Sequence, residues 1–209
     1  MLRHRGKNRT AAHNLKLASL LSFVAGIVNV CGFFAFRVLT TNVTGHYAYF
    51  ADNIVRKNYS FAFYTACFLL SFLSGAFTSN TLVEITLRKN KRYASTLPVA
   101  VEICLISIVA FSSKNMVLHY PYLLSCVLLF AMGLQNSMVS TISGGLIKSS
   151  HLTGLFTDLG GDVSEWMHKA PAKKLIVRHR IYIRLTVLAF YFLGGLAGGY
   201  FFNAYGFVV

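Results

Sequence analysis

The chain has 209 residues, of which 55% are hydrophobic and only 12% are charged, and its mean hydropathy is +0.56. An ordinary soluble domain carries about 25% charged residues. These values exclude an intrinsically disordered chain and a disulfide scaffold, and they argue against a soluble enzyme. They are typical of an all-α, polytopic helical membrane protein, which we expect to form a single transmembrane domain over residues 1–209.

The charge is strongly positive, at +14, from 20 Lys and Arg against 6 Asp and Glu. A basic chain can bind nucleic acid, but here the basic residues stand in short clusters between apolar runs. The positive-inside rule places such clusters on the cytoplasmic side of a membrane. We therefore expect contact with the lipid bilayer, no nucleic-acid partner, and a basic cytoplasmic tail over residues 1–16.

Five apolar runs have about the length of roughly 20 residues that a helix needs to cross the hydrocarbon core. They cover residues 17–37, 60–86, 96–113, 120–143 and 181–205. Each run can satisfy its own backbone hydrogen bonds as a helix. With the N-terminus in the cytoplasm, this arrangement puts most Lys and Arg on the inner side of the membrane.

Two shorter amphipathic segments, 44–56 and 153–167, lie between these spans. Each has about a dozen residues, which is too few to cross a membrane comfortably. They predict two short half-helices that are either re-entrant or interfacial. The alternative is that both segments cross the membrane, in which case Lys and Arg are divided less unevenly between its two sides.

Three sequence matches in the same order indicate an internal duplication. The pairs are FVAGIVN at 23–29 with FAMGLQN at 130–136, TTNVTG at 40–45 with SSHLTG at 149–154, and FLSG at 72–75 with FLGG at 192–195. We expect a first copy over about 17–113 and a shorter second copy over about 120–205. Because their first spans cross in opposite directions, this predicts an inverted repeat, an architecture of secondary transporters that bind solute near the midplane on broken helices.

Several of these residues follow a pattern of an early Ala-Gly-x-x-Asn, a Thr-Gly turn, a Glu in a middle helix, then Ala-Met-Gly-x-Gln-Asn and a second Thr-Gly followed by Asp. The positions are Ala25, Gly26 and Asn29; Thr44, Gly45 and His46; Glu102; Ala131, Met132, Gly133, Gln135 and Asn136; and Thr153, Gly154 and Asp158. The pattern resembles the YoaK-type family of bacterial membrane proteins, domain of unknown function 1275, over roughly 17–205. The resemblance implies a multi-pass membrane fold in the bacterial cytoplasmic (inner) membrane and no particular substrate.

Polar groups within or beside the spans are the candidate residues for binding a solute or an ion, because they are costly in a membrane. The candidates are Asn29, Thr44, Gly45, His46, Glu102, Gln135, Asn136, Thr153, Gly154 and Asp158. Glu102 is read either as a proton-coupling carboxylate or as a side chain that reaches headgroup water. The amides of the set contact the substrate or, alternatively, hydrogen-bond between helices.

The two Thr-Gly turns predict that Thr44 and Thr153 cap the starts of the half-helices with their hydroxyl groups. Each helix start would then present positive potential to an anion, or the hydroxyl would serve as a cap alone. Asp158, Asp162 and Glu165 follow at helical spacing. They predict an acidic face that either pairs with the basic residues Lys169, Lys173, Lys174 and Arg178 or attracts cations.

The sequence therefore favours a small secondary-transporter-like permease for an unknown small-molecule substrate. The alternative is a non-transporting membrane scaffold or regulatory subunit. We expect no enzyme, no metal site and no cofactor, because the chain has no recognisable nucleophile–base pair and no metal-ligand spacing. Assembly into a homo-oligomer is left open.

Overall fold

A computed structural model describes residues 10–89 and 95–206, and all regular secondary structure in this part of the chain is helical. Its helices are α1 (Ala11–Phe36), α2 (Val43–Val55), α3 (Tyr59–Lys89), α4 (Thr96–Ala110), α5 (Lys114–His119), α6 (Pro121–Ser143), α7 (Leu152–His168) and α8 (Pro171–Tyr205). The predicted basic tail lies outside the described residues up to residue 9. From Ala11 onward, that segment is already helical.

Four helices, α1, α3, α6 and α8, are long and apolar enough to span a membrane. The span predicted over 96–113 is corrected to a shorter helix, because α4 has only 15 residues. At 1.5 Å per residue it is about 22 Å long, against a hydrocarbon core of about 30 Å. The apolar run is broken at Ser113, whose hydroxyl accepts the Met116 N–H and starts α5.

Helix α8 begins at Pro171 rather than near residue 181, because the basic residues before the apolar run continue the helix. Lys and Arg are good helix formers, and proline is favoured in the first turn. The helix therefore carries its positive charges on its own first turns, ahead of the membrane-spanning part.

The long helices associate as two parallel pairs. In the first pair, α1 runs alongside α8 in the same direction, as the contacts from Cys31 to Gly198 and from Phe34 to Phe202 show. In the second pair, α3 runs alongside α6, and the rings of Tyr64 and Tyr122 stack with their centroids 4.1 Å apart. Further along, the Thr141 hydroxyl donates to Asn80 of α3.

Glycines allow both pairs to approach backbone to backbone. A Cβ on Gly194 would lie 2.0 Å from the Phe23 carbonyl oxygen, and one on Gly75 would lie 2.0 Å from the Phe130 carbonyl oxygen. Such contacts are impossible for any other residue without moving the helices apart. Small residues at interfaces permit this packing between membrane helices.

Helices α1 and α6 join the two pairs and run antiparallel. The Gln135 amide of α6 donates to the Leu21 carbonyl of α1 at 2.7 Å, while Gly32 lies near Leu128. Among the short helices, α2 packs on α3, α4 on α6, and α7 on α8. This arrangement positions the starts of α2 and α7 next to the two central helices, and the internal repeat itself stays a prediction.

A candidate solute site between two short helices

A polar cavity of about 520 Å³ lies between the starts of α2 and α7. Six elements contribute to its wall: the two helix starts with the segments before them, and single residues of the four long helices. The lining residues are Asn29, Leu39, Thr41, Asn42, Val43, Thr44, Phe72, Asn136, Ser150, His151, Leu152, Thr153 and Tyr191. None of them is Asp, Glu, Lys or Arg, so the polarity of the cavity comes from hydroxyl, amide, imidazole and backbone groups.

The start of α2 is attached to the inside of α1 by an asparagine. The Asn29 side-chain oxygen accepts both the backbone N–H of Thr41, at 3.2 Å, and its hydroxyl, at 2.9 Å. Because the Thr41 hydroxyl has then donated its one proton, the Tyr191 hydroxyl of α8, 2.7 Å away, is the donor to it. One asparagine thus ties together α1, the start of α2 and, through Thr41, α8.

The start of α7 is attached to the inside of α6 in the corresponding way. The Asn136 amide donates to the Ser150 hydroxyl, and the Asn136 oxygen accepts from the Ser149 hydroxyl at 3.0 Å. The neighbouring Gln135 also donates to Ser149, at 3.0 Å. Most of the amide and hydroxyl groups here bond to each other, which is the role between helices that the sequence left open for them. The Gln135 oxygen is the exception, since it has no partner among the described residues.

Helix caps explain why each turn contains a glycine. The Asn42 oxygen accepts the Gly45 N–H at 2.9 Å, and the His151 Nδ1 accepts the Gly154 N–H at 3.1 Å. Each cap side chain folds over the glycine, so that a Cβ on Gly154 would lie 2.3 Å from the His151 ring. Glycine is therefore required at the third position of each helix for space.

These caps correct the prediction that the Thr44 and Thr153 hydroxyls cap the helices. A cap side chain accepts the N–H two or three residues further on, and the structure assigns that position to Asn42 and His151. Thr44 and Thr153 instead lie inside the first turns and line the cavity. Their backbone N–H groups have no acceptor among residues 10–89 and 95–206.

The predicted site residues divide into two groups. Asn29, Thr44, Asn136 and Thr153 line the cavity together. The remaining six do not line it: Gly45, His46, Glu102, Gln135, Gly154 and Asp158. Sequence reasoning missed Thr41, Ser150 and Tyr191, although the first two occupy the shared hydroxyl positions of TTNVTG and SSHLTG.

Two of the residues outside the cavity are buried elsewhere. His46 is buried in α2, where a ring nitrogen bonds the Leu39 carbonyl at 2.8 Å and the ring lies 5.4 Å from that of Phe68. Glu102 is buried in α4 with only 3% of its surface exposed, and one of its oxygens has no partner among the described residues. The structure therefore does not bring Glu102 to the same place as the asparagines.

The acidic face of α7 pairs with two arginines of α8. Arg184 bonds Asp162 and lies 3.3 Å from Asp158, and Arg180 bonds both Asp162 and Glu165. Of the basic partners expected from the sequence, Lys169 pairs with Glu165. Its ammonium group and the Arg180 guanidinium hold the pKa of the Glu165 carboxyl below its usual value.

Two other expected partners of the acidic face are bound differently. Arg178 lies over the Tyr182 ring at 5.3 Å, and the Lys174 ammonium lies 5.3 Å from the Trp166 ring. The side chain of Lys173 lies outside the described part of the chain. The predicted pairing is therefore corrected to Arg180, Arg184 and Lys169, because the antiparallel packing of α7 on α8 brings those residues opposite the carboxylates.

The four long apolar helices define a multi-pass membrane protein. A family model described as "Protein of unknown function (DUF1275)" matches residues 17–209, and the chain therefore belongs to this family. Among curated proteins, the chain is similar to the UPF0700 transmembrane protein YoaK of Bacillus subtilis (strain 168). The two are 25% identical over 187 residues, which cover 89% of this chain and 83% of that protein. No solved structure matches the chain.

Proposed function

We propose that this protein is a small permease of the secondary-transporter type and that its solute binds in the cavity between α2 and α7. The observation that carries the proposal is the convergence of two helix starts on one polar cavity in an otherwise apolar bundle. Transporter sites near the membrane midplane are typically built in this way, from helices that begin inside the membrane.

The contacts of the two helix starts support an inverted repeat. Asn29 binds Thr41 before α2, and Asn136 binds Ser150 before α7. The two asparagines are equivalent in the sequence match, and Thr41 and Ser150 are the second hydroxyl residues of TTNVTG and SSHLTG. Each helix then has its cap side chain three residues before a glycine.

The pairing of the long helices supports the same proposal. In the predicted repeat, α1 corresponds to α6 and α3 corresponds to α8. The α1–α8 pair of helices is therefore equivalent to the α6–α3 pair, and in each pair a glycine contacts a backbone carbonyl. The α1–α6 contact is antiparallel, which is the relation that two copies of opposite topology require. We infer that α2 and α7 are the re-entrant half-helices of the two copies and that the N-terminus is cytoplasmic.

The chemistry of the cavity favours a solute rich in hydrogen-bond acceptors. The unpartnered backbone N–H groups of Thr44 and Thr153 are donors. The Asn29 amide NH₂, whose oxygen accepts from Thr41, is a further donor at the cavity wall and also bonds the Tyr191 hydroxyl. The starts of two helices add partial positive charge. We therefore infer a small organic molecule that carries carboxylate or similar oxygens, since such groups bind well at helix N-termini.

The proposal is tested by solute-dependent thermal stabilisation of the detergent-purified full chain, across a panel of small organic anions, zwitterions and neutral solutes. A solute that binds only the folded protein raises its stability, by about 2.7 kcal/mol at a hundred times Kd. We expect Asn29→Leu and Thr153→Val to abolish the stabilisation. Asn203→Leu is the matched control, because it makes the same change on α8 outside this cavity.

Stabilisation that survives Asn29→Leu and Thr153→Val would contradict the site, since it would come from binding elsewhere. Uptake of the stabilising solute into proteoliposomes then tests transport itself. A panel without any hit, together with a second membrane protein that copurifies in equal amount, would favour the scaffold or regulatory subunit over the permease.

A further inference from the structure

The N-terminal caps of α2 and α7 differ in one chemical respect. Asn42 caps α2 with an amide oxygen, which keeps the same charge at every physiological pH. His151 caps α7 with an imidazole, whose Nδ1 accepts the Gly154 N–H at 3.1 Å. Because Nδ1 is the acceptor, the capping ring is neutral and carries its proton on Nε2. A histidine is the side chain that changes charge between about pH 5 and pH 8.

No other strongly ionisable group lines the cavity with His151. Opposite it, α1 presents Asn29, α2 presents Thr44, α3 presents Phe72 and α6 presents Asn136. From α8 comes the Tyr191 hydroxyl, which is bound to Thr41.

The first charged residue of α7 is Asp158, and it pairs with Arg184, the last charged residue of α8. His46 is turned to Leu39 and Phe68. An anion in the cavity therefore meets helix dipoles and neutral donors but no full positive charge from any lining side chain.

We propose that His151 is the proton-binding residue of the cavity and that it takes up one proton together with an anionic solute. This inference rests on the proposed solute site. Without an anion in the cavity, a proton on Nδ1 would turn this nitrogen from an acceptor into a donor, so its hydrogen bond with the Gly154 N–H would be lost. The new positive charge would also lie beside a helix start that is already positive. With an anion bound, the imidazolium donates to the anion and balances its charge.

The two binding events are then linked. An anion that favours the imidazolium must itself bind more tightly when the ring is protonated, because coupling between two ligands is reciprocal. On release, the ring returns the proton to water and Nδ1 again accepts the Gly154 N–H. The cargo is one proton per monovalent anion, which makes the transported pair electrically neutral.

The test measures the affinity of the full chain in detergent for lactate and for isethionate, at about pH 5.5 and about pH 8. Both anions keep a single negative charge over this range, so any pH dependence belongs to the protein. Lactamide serves as the neutral counterpart of lactate. For the wild type we expect about tenfold tighter anion binding at the lower pH, within the usual range of coupling between two sites.

For each variant we compare one quantity, the ratio of the anion affinity at the lower pH to the anion affinity at the higher pH. His151→Asn gives both helices the same kind of cap and is expected to bring the ratio close to one. Asn42→His places a second imidazole at the cavity and is expected to raise the ratio. Glu102→Gln changes the buried carboxyl outside the cavity and is expected to leave the ratio as in the wild type.

A ratio that persists in His151→Asn and disappears in Glu102→Gln would overturn the proposal and assign the proton to Glu102. Lactamide binding as tightly as lactate, at both pH values and sensitive to Asn29→Leu, would overturn it while the solute site stands. If none of the three probes binds the wild type at either pH, the proton proposal fails together with the small-anion class.

Discussion

The first three helices and the last three helices of this protein share an arrangement but differ in their charges. In both sets an asparagine inside a long helix holds the start of a short one. The short helix α2 is attached to α3 without any ion pair among the described residues, and its one pair, Asp52 with Arg56, is internal and exposed. The short helix α7 is attached to α8 by three carboxylates and two arginines.

This difference indicates which short helix is free to move. Ring contacts such as that between His46 and Phe68 can slide, because hydrophobic contact is not directional. A partly buried network of ion pairs cannot slide in this way, because separating the pairs leaves unpaired charges. We therefore expect α7 to be held firmly on α8 and α2 to be the more mobile wall of the cavity.

The largest effect is expected from removing Asp162, which is 5% exposed and bonds both arginines. Asp162→Ala leaves two guanidinium groups partly uncompensated, and a broken buried pair costs about 3–5 kcal/mol. Thermal unfolding in detergent measures the loss. The matched control is Asp52→Ala in α2, which removes an exposed helix pair that is screened by water and contributes little to stability. Similar losses in the two variants would contradict the difference between the helices.

An intermediate effect is expected at the glycines of the two long pairs. A Cβ on Gly26 would lie 2.1 Å from the Tyr191 carbonyl oxygen, and one on Gly75 would lie 2.0 Å from that of Phe130. Because backbone has to move in each case, we expect Gly26→Ala and Gly75→Ala each to cost about 1–3 kcal/mol.

Gly160→Ala is the control for the two glycine variants, since nothing lies near its added Cβ. For Gly160→Ala we expect the free energy of unfolding to rise by up to about 1 kcal/mol, because alanine has a higher helix propensity than glycine. Thermal unfolding of all three variants under one condition makes the comparison. A loss of stability in only one of the two variants, Gly26→Ala or Gly75→Ala, would show that the two pairs of long helices are not equivalent.

The smallest effect is expected at Glu165, whose pKa is lowered by Lys169 and then by Arg180. A lowered pKa means that the ionised carboxyl stabilises the fold above its unfolded value of about 4.3, and that this contribution is lost as pH falls through the folded pKa. Glu165→Gln is therefore expected to lower the unfolding temperature slightly at neutral pH and not at about pH 3. An equal difference at both pH values would show that packing, not charge, is responsible.

The membrane-spanning helices could be predicted from the sequence because an apolar run of the right length leaves the backbone no alternative to a helix. The end of α4 could not, since Ser113 interrupts the run through a cap that only its hydrogen bond to Met116 reveals. The start of α8 was misplaced for the opposite reason. The apolar run begins only at residue 181, but the basic residues before it continue the helix because their charge does not oppose helix formation.

Four of the residues that line the candidate cavity could be predicted from the sequence, and the other lining residues depended on tertiary contacts. Asn29 and Asn136 stood out as amides within apolar runs, and both line the cavity. The caps were assigned to the wrong residues, because the Thr-Gly pairs resemble a capping motif while the acceptors are Asn42 and His151. Tyr191 gave no local signal, since it reaches the cavity only because α8 packs on α1.

The pairing of α1 with α8 has a consequence for how the protein is made. The Cys31 thiol and the Gly198 carbonyl that it contacts are 167 residues apart in the chain, so α1 enters the membrane long before its partner is synthesised. Chains are built and folded from the N-terminus onward. During translation, the side of α1 that contains Gly26 therefore lacks its partner, and the close contact between α1 and α8 forms only after α8 has been synthesised.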